Sequence, residues 1–313
     1  MEIKIYTSGV KTEWDNFVRE SKNGTFLFYR DFIEYHGNRF NDYSLLFYEK
    51  GKLVALMPGH IEDKVFYSHR GLTYGGLIMN AETKAKDILS AFEYLTVTFR
   101  HQGIKKIVYK AIPHIYHSQP AEEDLYALFR YKASITASNI SSAIYLPERI
   151  KYSELRRRGV KKAAKNGLTV SRSEDYEAFW PILSANLLER YDKQPVHTLD
   201  EITYLNSKFP DNIHLFTVQD TQNKVIAGCL IFETHQVAHI QYIAASDAGK
   251  AQGATDLLVD HIVNTAYPGK KYFDYGVSTE NGGEYLNESL IHQKEGFGAR
   301  GIVYNTYTIN LQR

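Results

Sequence analysis

Asp274 sits where ordinary folding gives it little reason to be, and Lys294 follows it twenty residues on. Asp274 interrupts an aromatic run, Tyr272-Phe273-Asp274-Tyr275. That run suits a strand, and a carboxylate withdrawn from water must be paired or catalytic. Lys294 closes a short helix predicted over 287–295, where the helix dipole favours a cation. Between them lies a loop with Gly276, Gly282 and Gly283, and Gly296 and Gly298 follow the helix. The plain reading of 270–300 is one strand, one loop and one helix of an α/β domain. The functional reading is the edge of an active site. Asp274 has a structural alternative, a pair with Lys270 or with a core tyrosine.

A second constellation is cationic. Arg149, Lys151, Arg156, Arg157, Arg158, Lys161, Lys162 and Lys165 stand against Glu154 alone. Charge runs are usually solvated faces, but eight cations less one acid exceeds what solubility needs, so RNA or a nucleoside diphosphate is a candidate partner. Cys229, the single cysteine, lies in the apolar run 226–232. It reads as an inert core thiol and excludes an internal disulfide and a multi-cysteine metal site. The twelve histidines show no ligand spacing, so no metal is expected, and no Ser-His-Asp set can be picked out.

These groups need positioning. At 313 residues, two domains are expected. Hydrophobic residues make up 43% and aromatics 13%, enough for a well-formed core. A net charge of +1 leaves no overall field, so anion binding must be local, and no DNA partner is expected. The N-terminus alternates like a strand and is no signal peptide. No apolar run approaches the ~18 residues that span a bilayer. The expectation is a cytoplasmic protein without membrane insertion.

The spacing predicts strands at 3–6, 44–48, 53–61, 65–67, 106–110 and 143–146. Helices are predicted at 12–20, 25–35, 82–102 and 122–129. After the basic helix come a strand at 168–171, helices at 176–191 and 199–208, a hairpin over 214–233, a strand at 238–244, a helix at 254–266 and a strand at 302–311. The halves repeat. Leu45–Tyr48 with Lys52–Ala55 matches Leu215–Val218 with Lys224–Ala227, and Gly103–Tyr109 matches Gly269–Tyr275 at an offset of 166. The unit is too long for a solenoid. It reads as a duplicated domain, 1–149 and 150–313.

The order strand, two helices, three-stranded meander, helix, strand, helix, strand resembles the GNAT acyltransferase fold. The resemblance implies an α/β (mixed-sheet α+β) chain of two tandem GNAT-like domains packed around an interdomain groove. In that fold a helix N-terminus after the meander cradles a donor pyrophosphate. Lys250-Ala251-Gln252-Gly253-Ala254-Thr255 is a degraded form of its signature, and with Tyr242 it supplies the donor residues Lys250, Gly253 and Ala254. The Arg-rich helix ending in Asn166-Gly167-Leu168, with the late Asp274-Tyr275-Gly276 and Lys294 to Gly298 elements, resembles Fem-type and BioF2-like transferases across nearly the whole chain. The helical arm of some members has no room between Tyr191 and Leu199.

Fem-type enzymes attach amino acids from aminoacyl-tRNA to peptidoglycan precursors, and their relatives use acyl thioesters. The resemblance therefore implies amine attack on an ester or thioester carbonyl. Lys294 stabilises the tetrahedral species, and Asp274 and Tyr275 orient the amine or take its proton. Of Gln241 and Tyr242, strand alternation allows only one in the cleft, and Tyr242 is preferred. His69, Arg70 and Tyr74 in the first half, with Arg158, Arg190, Tyr191 and His197 in the second, are the substrate-binding candidates. The expected activity is an N-acyltransferase using acyl-CoA as donor co-substrate. Its acceptor would be a small-molecule, lipid-linked or nucleotide-linked amine of a cell-envelope sugar or peptide precursor. The alternatives are a tRNA-dependent aminoacyltransferase, with tRNA as partner, and a non-catalytic nucleotide-sugar or polyanion module.

Overall fold

The computed structural model describes residues 1–312 except His36 and Asn38, and the side chain of Tyr191 is also outside the described residues. The chain forms two compact units. One comprises Met1–Ile140, Thr279–Tyr285 and Val303–Arg313, and the other Ser141–Ser278 and Leu286–Ile302.

The first unit holds β1 (Glu2–Ile5), α1 (Lys11–Glu20), α2 (Arg30–Glu34), β2 (Leu45–Glu49), β3 (Lys52–Met57), β4 (His60–Glu62), β5 (Val65–Tyr67), β6 (Ile78–Met79), α3 (Ala85–His101), β7 (Lys106–Lys110) and α4 (Glu123–Arg130). β8 (Ser134–Tyr145) begins in it. β1, β2, β3 and β6 form one antiparallel sheet, while β4 pairs with β5 and β5 runs parallel to β7. The β2–β3 turn places Lys50 and Gly51 at φ 51° and 78°, the left-handed pair that matches hairpin twist. Phe47, Phe66, Phe92, Phe99 and Tyr109 centre the core.

The helix expected over 25–35 is split. Phe26–Phe28 form a 3₁₀ turn, Tyr29 is extended, and α2 follows. Phe26, Leu27 and Phe28 are all buried. Extended Tyr29 breaks the run of helical hydrogen bonds, and its carbonyl opens α2 by accepting from Phe32 N–H at 2.9 Å and Ile33 N–H at 3.1 Å.

The second unit holds α5 (Glu154–Lys165), β9 (Thr169–Ser173), α6 (Tyr176–Tyr191), α7 (Leu199–Lys208), β10 (Ile213–Gln219), β11 (Val225–Glu233), β12 (Val237–Ala245), α8 (Asp247–Gln252), α9 (Ala254–His261), a π-helical turn (Ile262–Ala266) and β13 (Tyr272–Val277). Two short strands, β14 (Thr279–Glu280) and β15 (Tyr285–Leu286), precede α10 (Glu288–Glu295), and β16 (Arg300–Asn310) ends the fold. The sheet order in this unit is β8-β13-β12-β11-β10-β9. All neighbours in it are antiparallel except β12 and β13. The helix expected over 254–266 becomes π-helical after His261, with Tyr267 N–H donating to the Ile262 carbonyl at 3.0 Å. Cys229 is fully buried in the core, and burial pushes its thiol well above the ordinary value.

Candidate active site

The site begins where two strands part. β12 and β13 are in register only at Val237–Tyr272, Ala238–Phe273 and His239–Asp274. Beyond that base they diverge, and a cavity of about 450 Å³ opens between the C-terminal half of β12, the end of β13, α6, α8–α9 and α10. This is an ordinary volume for a small-molecule site.

A β-bulge shapes one wall. Leu230 faces Tyr242 and Ile231 faces Ile240, leaving Gln241 as the extra residue. An extra residue breaks the two-residue alternation. Both Gln241 and Tyr242 therefore line the cavity, and the expectation that only one would do so fails at the bulge. The Tyr242 hydroxyl accepts from the His197 backbone N–H at 3.2 Å and lies 2.8 Å from His197 Nδ1. His197 thus braces Tyr242 from behind and does not itself line the cavity. The opposite wall is one face of α6, Leu183, Asn186, Leu187 and Arg190. Their i, i+3, i+4, i+7 spacing is visible in the sequence, but only Arg190 stands out there as a candidate.

Lys294 lies in α10 with its side chain buried, not in solvent. Its Nζ donates to the Gly276 carbonyl at 2.7 Å, the Val277 carbonyl at 2.9 Å and Ser278 Oγ at 2.8 Å. Burial lowers its pKa to about 8, partly opposed by Asp274. Three donors meet three acceptors, so the ammonium ties α10 to the end of β13 while it lines the cavity.

Asp274 is fully buried and is not part of the cavity lining. Its Oδ2 is 2.8 Å from His239 Nδ1, and its Oδ1 accepts from Ser141 Oγ at 2.5 Å and Gly276 N–H at 3.2 Å. The partner is a histidine, where the sequence offered Lys270 or a tyrosine. Ser141 and His239 both bind the carboxylate, which is not the relay of a nucleophilic triad. Tyr275 does line the cavity. Its hydroxyl is buried and has no hydrogen-bond partner among the described residues. Burial holds its pKa well above the ordinary value, so the phenol keeps its proton.

The donor end is more elaborate than a glycine loop. Ser246 caps α8 by accepting from Gly249 N–H. Gly253 then takes φ 81° and becomes the N-cap of α9. A Cβ there would lie 2.6 Å from the Gly159 carbonyl on α5. Lys250, Gly253, Thr255 and Asp256 line the cavity, whereas Ala254 is buried outside it. Asp256 sits in the first turn of α9 and pairs with Arg156 Nη1 at 2.6 Å. Burial raises the Asp256 pKa and Arg156 opposes the rise. Arg156 is thus the member of the arginine run that reaches the cavity, and Arg158 stays exposed outside it. Thr255 closes the degraded signature at 250–255, whereas Asp256 carries no sequence signal that marks it.

The first-unit candidates fall elsewhere. Arg70 pairs with Glu62 at the surface, a loop-bracing role. Tyr74 is buried and donates to Thr25 Oγ1 at 3.2 Å, and His69 is buried beside His60 and Phe40. The strands of this unit explain the difference. Tyr67–Val108 is the register position that His239–Asp274 occupies in the second unit. Beyond it, Ser68 N–H donates to the Val108 carbonyl and Gly75 N–H to the Lys110 carbonyl. Lys110 Nζ binds the Arg70 and Leu72 carbonyls. The gap that opens in one unit is bonded shut in the other. Among the described residues, no group of three or more His, Cys, Asp or Glu is placed to hold a metal. Among the described residues, no helix is long and apolar enough to cross a membrane.

A mixed sheet whose parallel central strands splay after a bulge, facing a helix N-terminus, defines a GNAT-like unit, and the chain has the Fem-type tandem GNAT fold. It superposes on the crystal structure of FemX with a TM-score of 0.70 over 99% of this chain and 97% of that one, at 12% identity. L-PGS from Bacillus licheniformis gives 0.62 at 12% identity, covering 96% and 92%. A tandem GNAT protein from the clavulanic acid biosynthesis pathway gives 0.52 at 10% identity, covering 100% and 99%. No protein-family model and no curated protein matches the sequence.

Proposed function

We propose that the chain is an N-acyltransferase that moves an acyl group from a thioester, acyl-CoA in the leading reading, to an amine of a cell-envelope sugar or peptide precursor. The observation that carries this reading is the cavity where β12 and β13 part, with Lys294, Tyr275 and the start of α9 around it. In the reaction the neutral amine attacks the carbonyl carbon and the C=O pair moves onto oxygen. The tetrahedral species collapses with loss of thiolate, and the proton shed by nitrogen ends on sulfur. Lys294 offers a positive charge to the oxyanion, at the cost of exchanging one of its three present acceptors. Tyr275, kept protonated, donates to the oxyanion or to the departing sulfur. Asp274 acts through the end of β13, holding Gly276 N–H and His239, and is a positioning residue. We place the donor against Tyr242, Lys250 and Gly253, and the acceptor against Arg190.

A second reading, transfer from aminoacyl-tRNA, is favoured by one observation. Asp256 already occupies the first turn of α9 with Arg156 as its partner. A carboxylate there competes with a pyrophosphate for the positive helix end, while Arg157, Arg158, Lys161, Lys162 and Lys165 remain exposed on α5 beside it. A thermal-shift comparison separates the two. Acetyl-CoA should raise the melting temperature, and Lys250→Ala should abolish the rise. A shift with aminoacyl-tRNA and none with any acyl-CoA would replace the leading donor. Saturable nucleotide-sugar binding with no acyl turnover from either donor would leave only a binding module.

A further inference from the structure

A second cavity, of about 610 Å³, lies at the other end of the sheet of the second unit, away from the splayed strands. Its walls come from the end of β9, the start of β10, the β11–β12 turn and the segment after the π-helical turn. The two cavities share no lining residue.

Its polar groups are unevenly satisfied. His214 is 5% exposed. Its Nε2 lies 3.1 Å from both Glu233 Oε2 and the Asp211 carbonyl, while its Nδ1 is buried and has no hydrogen-bond partner among the described residues. A buried ring nitrogen without a partner is unfavourable unless a ligand or water supplies one. With Nε2 donating to the carboxylate, Nδ1 of the neutral ring is an acceptor. Glu233 does not repel an anion, because Lys270 Nζ neutralises it at 2.7 Å.

The rim has the opposite character. Arg172 is exposed and donates only to the Pro210 carbonyl, at 3.4 Å, with no carboxylate paired to it among the described residues. His235 and His261 share the lining with it. Phe216 and Tyr267 supply the apolar surface, 5.9 Å apart edge to face. Tyr267 is delivered there by the i→i−5 bond to Ile262, and π-turns of this kind recur at functional sites.

We propose that this cavity binds a small hydroxylated phosphate ester of the sugar-phosphate class. The phosphate sits on Arg172, flanked by His235 and His261. A ligand hydroxyl donates to His214 Nδ1, and the carbon skeleton lies on Phe216 and Tyr267. A guanidinium with no paired carboxylate among the described residues suits a phosphate, and a hydroxyl of the same molecule gives the lone acceptor nitrogen its donor.

Ribose 5-phosphate, ribose and inorganic phosphate test this on the full chain, with binding followed by calorimetry and by the 15N resonance of His214 Nδ1. Ribose 5-phosphate should bind saturably, shift that resonance, and bind at least tenfold more weakly to Arg172→Ala. Ribose and phosphate alone should each bind more weakly than the ester. The proposal is overturned by absence of saturable binding, by an unmoved Nδ1 resonance, by an Arg172→Ala affinity equal to wild type, or by phosphate binding as well as the ester. Arg172 is exposed, so its loss should leave the fold and the acetyl-CoA thermal shift of the first cavity intact.

Discussion

Lys294 is singled out in the sequence by the resemblance to Fem-type transferases, since a helix-end lysine alone reads as a solvent cation, and its surroundings change what it does. A solvent lysine would keep its ordinary pKa. Burial against β13 lowers it to about 8. If the ammonium is the form that stabilises the oxyanion, kcat/KM should fall as pH rises through about 8. Lys294→Arg, whose charge persists at high pH, should move that descending limb upward. An unchanged limb in the arginine variant would assign it to another group, such as the substrate amine. Lys294→Ala should lower kcat by about 10²-fold, the scale of losing one oxyanion donor. It should also lower the melting temperature, because three acceptors lose their donor. Asp274 shows how much residue type alone conveys. A carboxylate in an aromatic strand had to be paired. Its partner, His239, was hidden because the pair forms across a parallel register that joins residues 35 positions apart.

At the scale of elements, the seam between α5 and α9 governs the donor end of the first cavity. Gly159 is in contact with Asp256, and a Cβ at Gly159 would collide with the Asp256 carboxylate. Gly159→Ala should therefore displace the Arg156–Asp256 pair and cost about 1–3 kcal/mol of stability, the usual scale of overpacking. Denaturant melts would measure that cost, and the acetyl-CoA thermal shift should shrink with it. A variant that melts like wild type with an unchanged shift would show that the seam does not control the site. The basic run is legible as a helix with a solvated face. The inward turn of Arg156 is not, because which of three adjacent arginines faces α9 depends on how α5 is rotated in its packing. The bulge at Gln241 is equally invisible, since a one-residue insertion in pairing leaves the sequence of the strand unchanged.

For the whole molecule, stability should depend on buried histidines that do not line the first cavity. Burial, followed by the Arg70 charge, lowers the His60 pKa to about 4. Burial does the same for His117, to about 4. A histidine depressed in the folded state binds fewer protons than its unfolded counterpart between about pH 4 and its ordinary pKa near 6.5. Stability is therefore lost as pH falls through that window. His60 alone should contribute on the order of 1–2 kcal/mol of loss between pH 7 and pH 5. Calorimetric melting of wild type and His60→Phe at both pH values checks this. The variant should lose less on acidification, and equal losses would show that His60 already titrates freely in the fold.

The sequence by itself was enough for the repeat, the mixed α/β class, most helices and strands, and six residues that line the cavity, Arg190, Tyr242, Lys250, Gly253, Tyr275 and Lys294. The helices and strands come from local pattern, a period of two or 3.6, a capping residue, a glycine or an aromatic run, whereas the repeat comes from the matched segments and the site residues from the family resemblance. Only the tertiary structure decided which copy has an open cleft. Both copies contain the parallel pair, Tyr67–Val108 in one and His239–Asp274 in the other. The two copies part company immediately beyond that pair. Ser68 and Gly75 return to β7 and close the gap, while the bulged β12 moves away from β13 and leaves one. That outcome depends on backbone hydrogen bonds between residues about 40 positions apart, whose geometry no single segment encodes.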